Sequence, residues 1–220
     1  MAFTISQKIK TIAKLFKVPK VLSALLSQRE FGYLNEIGWF ESFKSNRSID
    51  KNRRPIPWFS YPFIDFLTPR LTKDLVLFEF GSGSSTSFFA ERVNQVISIE
   101  HNKEWFEIVN KTKPNNAKLI LTDSDSIDDY LNYLNNLKEK VDVVIVDGLH
   151  RNECLTYALE KLSENGVIVL DDSERSEYKK GIESVIGRGF KKLEFWGIAP
   201  TVLFKKCTTV FYKSNNCLKV

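Results

Sequence analysis

From about residue 70 onward, short apolar runs alternate with amphipathic stretches. The runs LVLFEF (75–80), VISIE (96–100), KLILT (118–122), VDVVIVD (141–147) and GVIVLD (166–171) are rich in β-branched residues and short enough to be strands. Between them the apolar residues recur at three- and four-residue steps, which predicts helices from about 86, at 103–110, near 126–138, at 152–162 and around 176–186. Strands that are apolar on both faces and separated by helices specify a parallel sheet covered on both sides. The last two runs, FKKLEFWGI (190–198) and CTTVFYK (207–213), have no helix between them and predict an edge hairpin antiparallel to the rest. The expected fold is therefore α/β: a doubly wound, mostly parallel seven-stranded sheet with an antiparallel C-terminal strand.

The stretch 46–67 departs from this rhythm, because polar residues and Pro55, Pro57 and Pro62 interrupt helix formation. It divides residues 1–70, expected to be an N-terminal helical extension, from a main domain over 71–220. Within the extension, Ile5, Ile9, Ile12, Leu15 and Phe16 fall on one helical face, flanked by Lys8, Lys10, Lys14, Lys17 and Lys20 with no acid among the first 20 residues. Such a basic amphipathic helix packs on its own domain, packs on a second copy, or lies on a membrane surface. Nucleic acid is not expected as a partner, since the basic residues are not interleaved with base-stacking aromatics.

Composition narrows the setting. With 220 residues, 43% hydrophobic and 27% charged, the chain suits one sizeable globular core, and no apolar run reaches the roughly 18 residues of a membrane span. Cys154, Cys207 and Cys217 form no CxxC pair, and the N-terminus lacks a compact apolar signal region, so a reducing, cytoplasmic location is expected.

In a doubly wound sheet, ligands bind beyond the carboxyl ends of the strands where strand order reverses. The residues there are Gly81, Ser82, Gly83, Ser84 and Ser85 after the first strand, Glu100 and His101 after the second, and Asp123 and Ser124 after the third. Asp147, Gly148 and His150 follow the fourth strand, and Asp171 and Asp172 the fifth. Each acid alone could be a helix cap or turn residue. Together on one rim they point to a cation or a hydroxyl-rich ligand. The turn at 81–83 lacks the third glycine of GxGxxG, which argues against a pyrophosphate cradle and hence against a nicotinamide-dependent oxidoreductase. Glu100, 19 residues after Gly81, is placed to accept both hydroxyls of a ribose.

With Glu79, Gly81 and Gly83 matching E/D-x-G-x-G after the first strand, and with the final hairpin, residues 70–213 resemble the class I S-adenosylmethionine-dependent methyltransferases, whose sheet is Rossmann-like. The segment VDGLHRNECLTYALEKLSENGVIVLDDSERSEY is similar to metal-dependent small-molecule O-methyltransferases, including those acting on sugars. PWFSYPFIDFL and FEFGSGSSTSFF resemble bacterial methyltransferase-like proteins associated with surface-polysaccharide genes. The resemblance implies S-adenosyl-L-methionine as donor, held by Glu79, Gly81, Ser82, Gly83, Ser84, Ser85, Glu100, His101, Asp123, Ser124 and Asp147. It further implies a small-molecule or glycan acceptor.

Methyl transfer to a hydroxyl needs the acceptor aligned and its proton removed. Asp147, Asp171 and Asp172 are hard oxygen donors suited to Mg2+ or another divalent cation, and His150, with Asp147, is the expected catalytic pair that takes the proton. A methyltransferase-fold binding protein that has lost catalysis is the alternative reading. The acceptor wall is expected from residues 1–70 and from the loop at 196–202.

Overall fold

The computed structural model describes residues 4–122 and 126–220. A seven-stranded sheet forms from β1 (Val76–Phe80), β2 (Gln95–Glu100), β3 (Ala117–Leu121), β4 (Val141–Val146), β5 (Leu162–Leu170), β6 (Lys191–Gly197) and β7 (Lys206–Tyr212), in the order β3-β2-β1-β4-β5-β7-β6. Strands β1 to β5 pair in parallel, and the order reverses between β1 and β4. The predicted rim is thereby assembled around that switch point.

The helices are α1 (Ile5–Phe16), α2 (Pro19–Glu30), α3 (Tyr33–Glu36), α4 (Trp39–Ser45), α5 (Tyr61–Leu67), α6 (Ser84–Ala90), α7 (Lys103–Thr112), α8 (Ile127–Asn135), α9 (Arg151–Lys161) and α10 (Lys179–Gly187). Alternate residues of each central strand feed two cores. Val143 and Ile145 of β4 join Leu77, Val167 and Val169 on one face, while Val144 and Val146 join Phe78, Phe80 and Ile168 on the other. That two-sided burial explains the near-continuous apolar runs.

The hairpin corrects one expectation. β7 slots between β5 and β6 and is antiparallel to both, so β6 runs in the same direction as β1 to β5 and β7 alone is reversed. The side chains give the reason. β7 is buried from Lys206 to Phe211, whereas Lys191, Lys192 and Glu194 of β6 are exposed, and charged residues suit an edge that must not pair further.

Residues 39–67 pack against the same sheet. Phe59, Phe63 and Leu67 are fully buried in one cluster with Phe89, Val143 and Val210. Polar contacts sew this segment to β7 and to the β6–β7 connection. Ser60 N–H donates to Thr208 Oγ1 at 3.1 Å, Tyr61 N–H to the Ile198 carbonyl at 3.0 Å, and Trp58 Nε1–H to the Pro200 carbonyl at 2.6 Å. In contrast, neither α1 nor α2 contains a buried residue.

The aromatic seam should be part of one cooperative unit with the sheet. Phe63→Ala, at a fully buried site, is expected to lower unfolding free energy by about 3–5 kcal/mol in urea titrations while preserving a single transition. A loss below about 1 kcal/mol, within the range of surface substitutions, would show that the segment is not integral to the core.

Candidate active site

The site begins where β1 stops. Gly81 adopts φ 102°, a conformation strained for any residue with a Cβ, and a Cβ there would lie 3.3 Å from the Asp147 carbonyl oxygen. Gly81 N–H donates to the Ile99 carbonyl at 2.9 Å, and Asp147 N–H donates to the Phe80 carbonyl at 3.1 Å. The ends of β1, β2 and β4 are thus drawn together. Gly148 fits for a related reason, since its Cβ would meet the Phe80 carbonyl at 3.0 Å. At Gly83 the backbone is extended, and an added Cβ would meet the Trp105 indole at an ordinary 3.6 Å. The fold therefore demands glycine at 81 and leaves room at 83.

Glu79 braces this turn from beneath. Its Oε2 accepts hydrogen bonds from Ser98 Oγ at 2.6 Å and Thr86 Oγ1 at 2.8 Å, and Thr86 Oγ1 in turn accepts from Gly83 N–H at 3.1 Å. Burial pushes its carboxyl up to about 7, against the opposing pull of the Ser98, Ser85 and Thr86 hydroxyls.

Glu100 is organised differently. Its Oε1 accepts from the backbone N–H groups of His101 at 3.0 Å and Asn102 at 2.9 Å, and its Oε2 from Ser82 N–H at 3.2 Å and Ser82 Oγ at 2.9 Å. His101 Nδ1 lies 3.1 Å from the Tyr130 hydroxyl. Trp105 Nε1–H donates to the Ser82 carbonyl at 2.7 Å, fixing the indole beside the turn. A cavity of about 440 Å3 opens between these groups, lined by Glu79, Gly81, Ser82, Ser85, Glu100, His101, Trp105, Asp147 and Gly148 among others. This volume is within the range of small-molecule sites. Ser84 begins α6 and does not line the cavity, while Asp123 and Ser124 lie outside the described residues.

The other carboxylates meet protein cations. Asp147 Oδ1 is 3.1 Å from Arg151 Nη2, one helical turn along the chain. Asp171 Oδ2 and Asp172 Oδ1 share the Lys206 ammonium at 2.5 and 2.6 Å, and Asp172 Oδ2 also meets Arg175 Nη2 at 2.7 Å and Arg151 Nη1 at 3.5 Å. Burial pushes Asp171 and Asp147 upward. In Asp172 burial also acts upward, yet Lys206, Arg151 and Arg175 outweigh it and hold the carboxyl below its usual range. For Lys206, burial favours the neutral amine, but Asp171 and Asp172 outweigh it and raise the ammonium.

These donors do not fit a divalent ion as they stand, because the oxygens of Asp171 and Asp172 that would face it already accept from Lys206, Thr208, Arg175 and Arg151. Among the described residues no group of three His, Cys, Asp or Glu side chains is arranged to hold a metal. His150 is exposed at the start of α9 with φ 50°, its ring edge-on to Tyr130 at 6.2 Å between centroids. Trp105, Arg151 and Lys206 were not singled out by sequence reasoning. Arg151 carried a usable signal in its four-residue spacing from Asp147.

Glu79 supplies a pH test. A carboxyl whose folded value is raised from 4.5 to about 7 binds its proton more tightly in the folded protein, so its contribution to stability is lost as pH rises through that window. Glu79→Gln removes the titration. The unfolding free energy of Glu79→Gln relative to the native chain should shift in the variant's favour by about 2–3 kcal/mol between pH 4 and pH 8. A pH-independent difference would show that Glu79 does not hold a proton in the fold.

The comparisons agree with this architecture. Residues 78–173 match the family model of a methyltransferase domain. The O-methyltransferase TomG from Streptomyces achromogenes, involved in tomaymycin synthesis and solved in complex with SAM, superposes with a TM-score of 0.58 at 16% identity, covering 80% of this chain and 88% of that one. Precorrin-6y C5,15-methyltransferase from Geobacter metallireducens gives a TM-score of 0.55 at 17% identity, with 70% and 87% covered. An rRNA methylase from Streptococcus thermophilus gives 0.52 at 19% identity, with 69% and 96% covered. A search of curated protein sequences finds no significant match. The switch-point cavity and the reversed β7 thus belong to a fold shared with these solved methyltransferases, and the match to a methyltransferase domain runs from β1 to the end of β5, across the glycine turn and the strand-end acids.

Proposed function

We propose that the protein transfers a methyl group from S-adenosylmethionine to a hydroxyl of a small molecule or glycan. The observation that carries the reading is Glu100, buried at the end of β2, held by three backbone N–H groups and set beside the Gly81 turn on one cavity. A carboxylate so fixed suits the two hydroxyls of a ribose. Four donors already occupy its oxygens, and of these only the Ser82 hydroxyl can rotate. Ser82 Oγ is therefore the group that yields when a ligand hydroxyl arrives.

Gly81 and Gly148 keep the floor of the cavity free of side chains, and Trp105 walls one side. The bound donor supplies a methyl group already activated on a sulfonium. The remaining tasks of the chain are alignment and proton removal. Asp147, on the cavity wall with its affinity for protons raised by burial, and His150, three residues on, are the proton acceptors in this reading. Trp58, Pro200 and Thr201, joined by the Trp58 indole hydrogen bonds, form part of the acceptor wall.

Thermal shift and calorimetry with S-adenosylhomocysteine test the donor site. Glu100→Ala should weaken binding by about 1.5–3 kcal/mol, and Gly81→Val should abolish it. Unchanged calorimetric affinity in both variants would remove the donor from this cavity.

The α1 face extends the proposal to location. Ile5, Ile9, Ile12 and Phe16 are 77%, 63%, 54% and 70% exposed, and no acid precedes Glu30. No helix of the described residues is long and apolar enough to cross a membrane. An apolar stripe flanked by lysines complements an anionic lipid surface, where each lysine contributes about 1 kcal/mol, whereas two such helices brought together would oppose like charges. The protein should float with phosphatidylserine vesicles, and Ile9→Asp with Phe16→Asp should release it without changing S-adenosylhomocysteine affinity. Failure to bind vesicles, with light scattering showing a dimer dissociated by the same pair of substitutions, would instead place a second copy on this face.

A further inference from the structure

The acidic rim that the sequence suits to a divalent cation holds an ammonium. Lys206 opens β7, and its side chain is 7% exposed. Its nitrogen lies 2.5 Å from Asp171 Oδ2, 2.6 Å from Asp172 Oδ1 and 3.2 Å from the Trp58 carbonyl oxygen. An ammonium has three N–H donors, so all are committed. Asp171 Oδ1 accepts from Thr208 Oγ1 at 2.7 Å. The charges also close: Asp147, Asp171 and Asp172 face Arg151, Arg175 and Lys206.

We propose that Lys206 is a built-in cation standing where a divalent metal would bind, and that it closes this rim to metal. A divalent ion would need to expel an ammonium tethered to a buried strand and then meet two arginines that already offset two of the three carboxylates. Through the Trp58 carbonyl the lysine also fastens the 57–60 segment to the ends of β5 and β7. It is a positioning residue, with no N–H left to reach a substrate.

The proposal concerns metal alone and is tested without donor or acceptor, so its failure is separable from failure of the methyl-transfer reading. Mn2+ is titrated into the native protein and followed by water-proton relaxation, with thermal unfolding measured in parallel. The native chain should show no site tighter than about 1 mM, and its unfolding temperature should be the same in EDTA and in Mn2+. Lys206→Ala should unfold at lower temperature in EDTA, bind Mn2+ at least about tenfold more tightly than the native chain, and recover stability with it. Adding Asp171→Asn to Lys206→Ala should abolish that gain. If Lys206→Ala does not fold, Lys206→Met, which retains most of the buried volume, is assayed in the same way. Native binding of Mn2+ that Asp171→Asn removes, or a folded Lys206 variant that gains no affinity for Mn2+, would overturn the proposal.

Discussion

Parallel strands deliver their carboxyl ends to one rim, and in this chain four of those ends carry or adjoin an acid. Like charges crowded at the edge of a buried sheet are tolerated only when each is given donors or a proton. Glu79 rests on two hydroxyls with its carboxyl pushed up to about 7 by burial, while Glu100 rests on backbone amides and the Ser82 hydroxyl. Asp147 pairs with Arg151, and Asp171 with Lys206 and Thr208. The form of compensation sorts the rim into a part facing the cavity and a part locked away, and the chemistry of the site follows from that sorting.

Much of this was legible in the sequence. The five β-branched runs became β1 to β5 with small boundary shifts, because residues buried on both faces must be apolar throughout. β5 is the main exception, beginning at Leu162 through an irregular pairing with Val141 before the regular register from Val167 onward. The glycine turn and Glu100 were also readable, since a left-handed backbone at Gly81 and a strand-end acid are local consequences of local sequence. The edge hairpin was readable in existence but not in direction, for its polarity depends on which strand β5 accepts as its neighbour.

What escaped was long-range. Lys206 lies 35 residues from Asp171 and 148 from Trp58, and nothing in its neighbourhood separates it from exposed Lys205. A lysine at the start of a buried strand is pulled inward by the register of that strand, which only the paired sheet defines. Glu79 was expected beside the ligand. It lines the cavity but spends its hydrogen bonds beneath the turn, because Thr86 and Ser98 reach it from α6 and β2. The helical pattern of α1 was plain, yet amphipathicity identifies an apolar face without naming what covers it.

The insertion of β7 between β5 and β6 has a consequence for the order of assembly. As the chain leaves the ribosome, β1 to β5 and the Gly81 turn are available before the strand that brings Lys206. Until that strand is threaded into its slot, Asp171 and Asp172 have neither their ammonium nor the Thr208 hydroxyl, and the Trp58 segment has no anchor at the rim. Domains assembled around such distant contacts cross their final barrier only after the distant strand has been made. The anchoring of the Trp58 segment at the rim is therefore a later step of assembly than the Gly81 turn, and a chain that has formed only β1 to β5 leaves Asp171 and Asp172 without their ammonium.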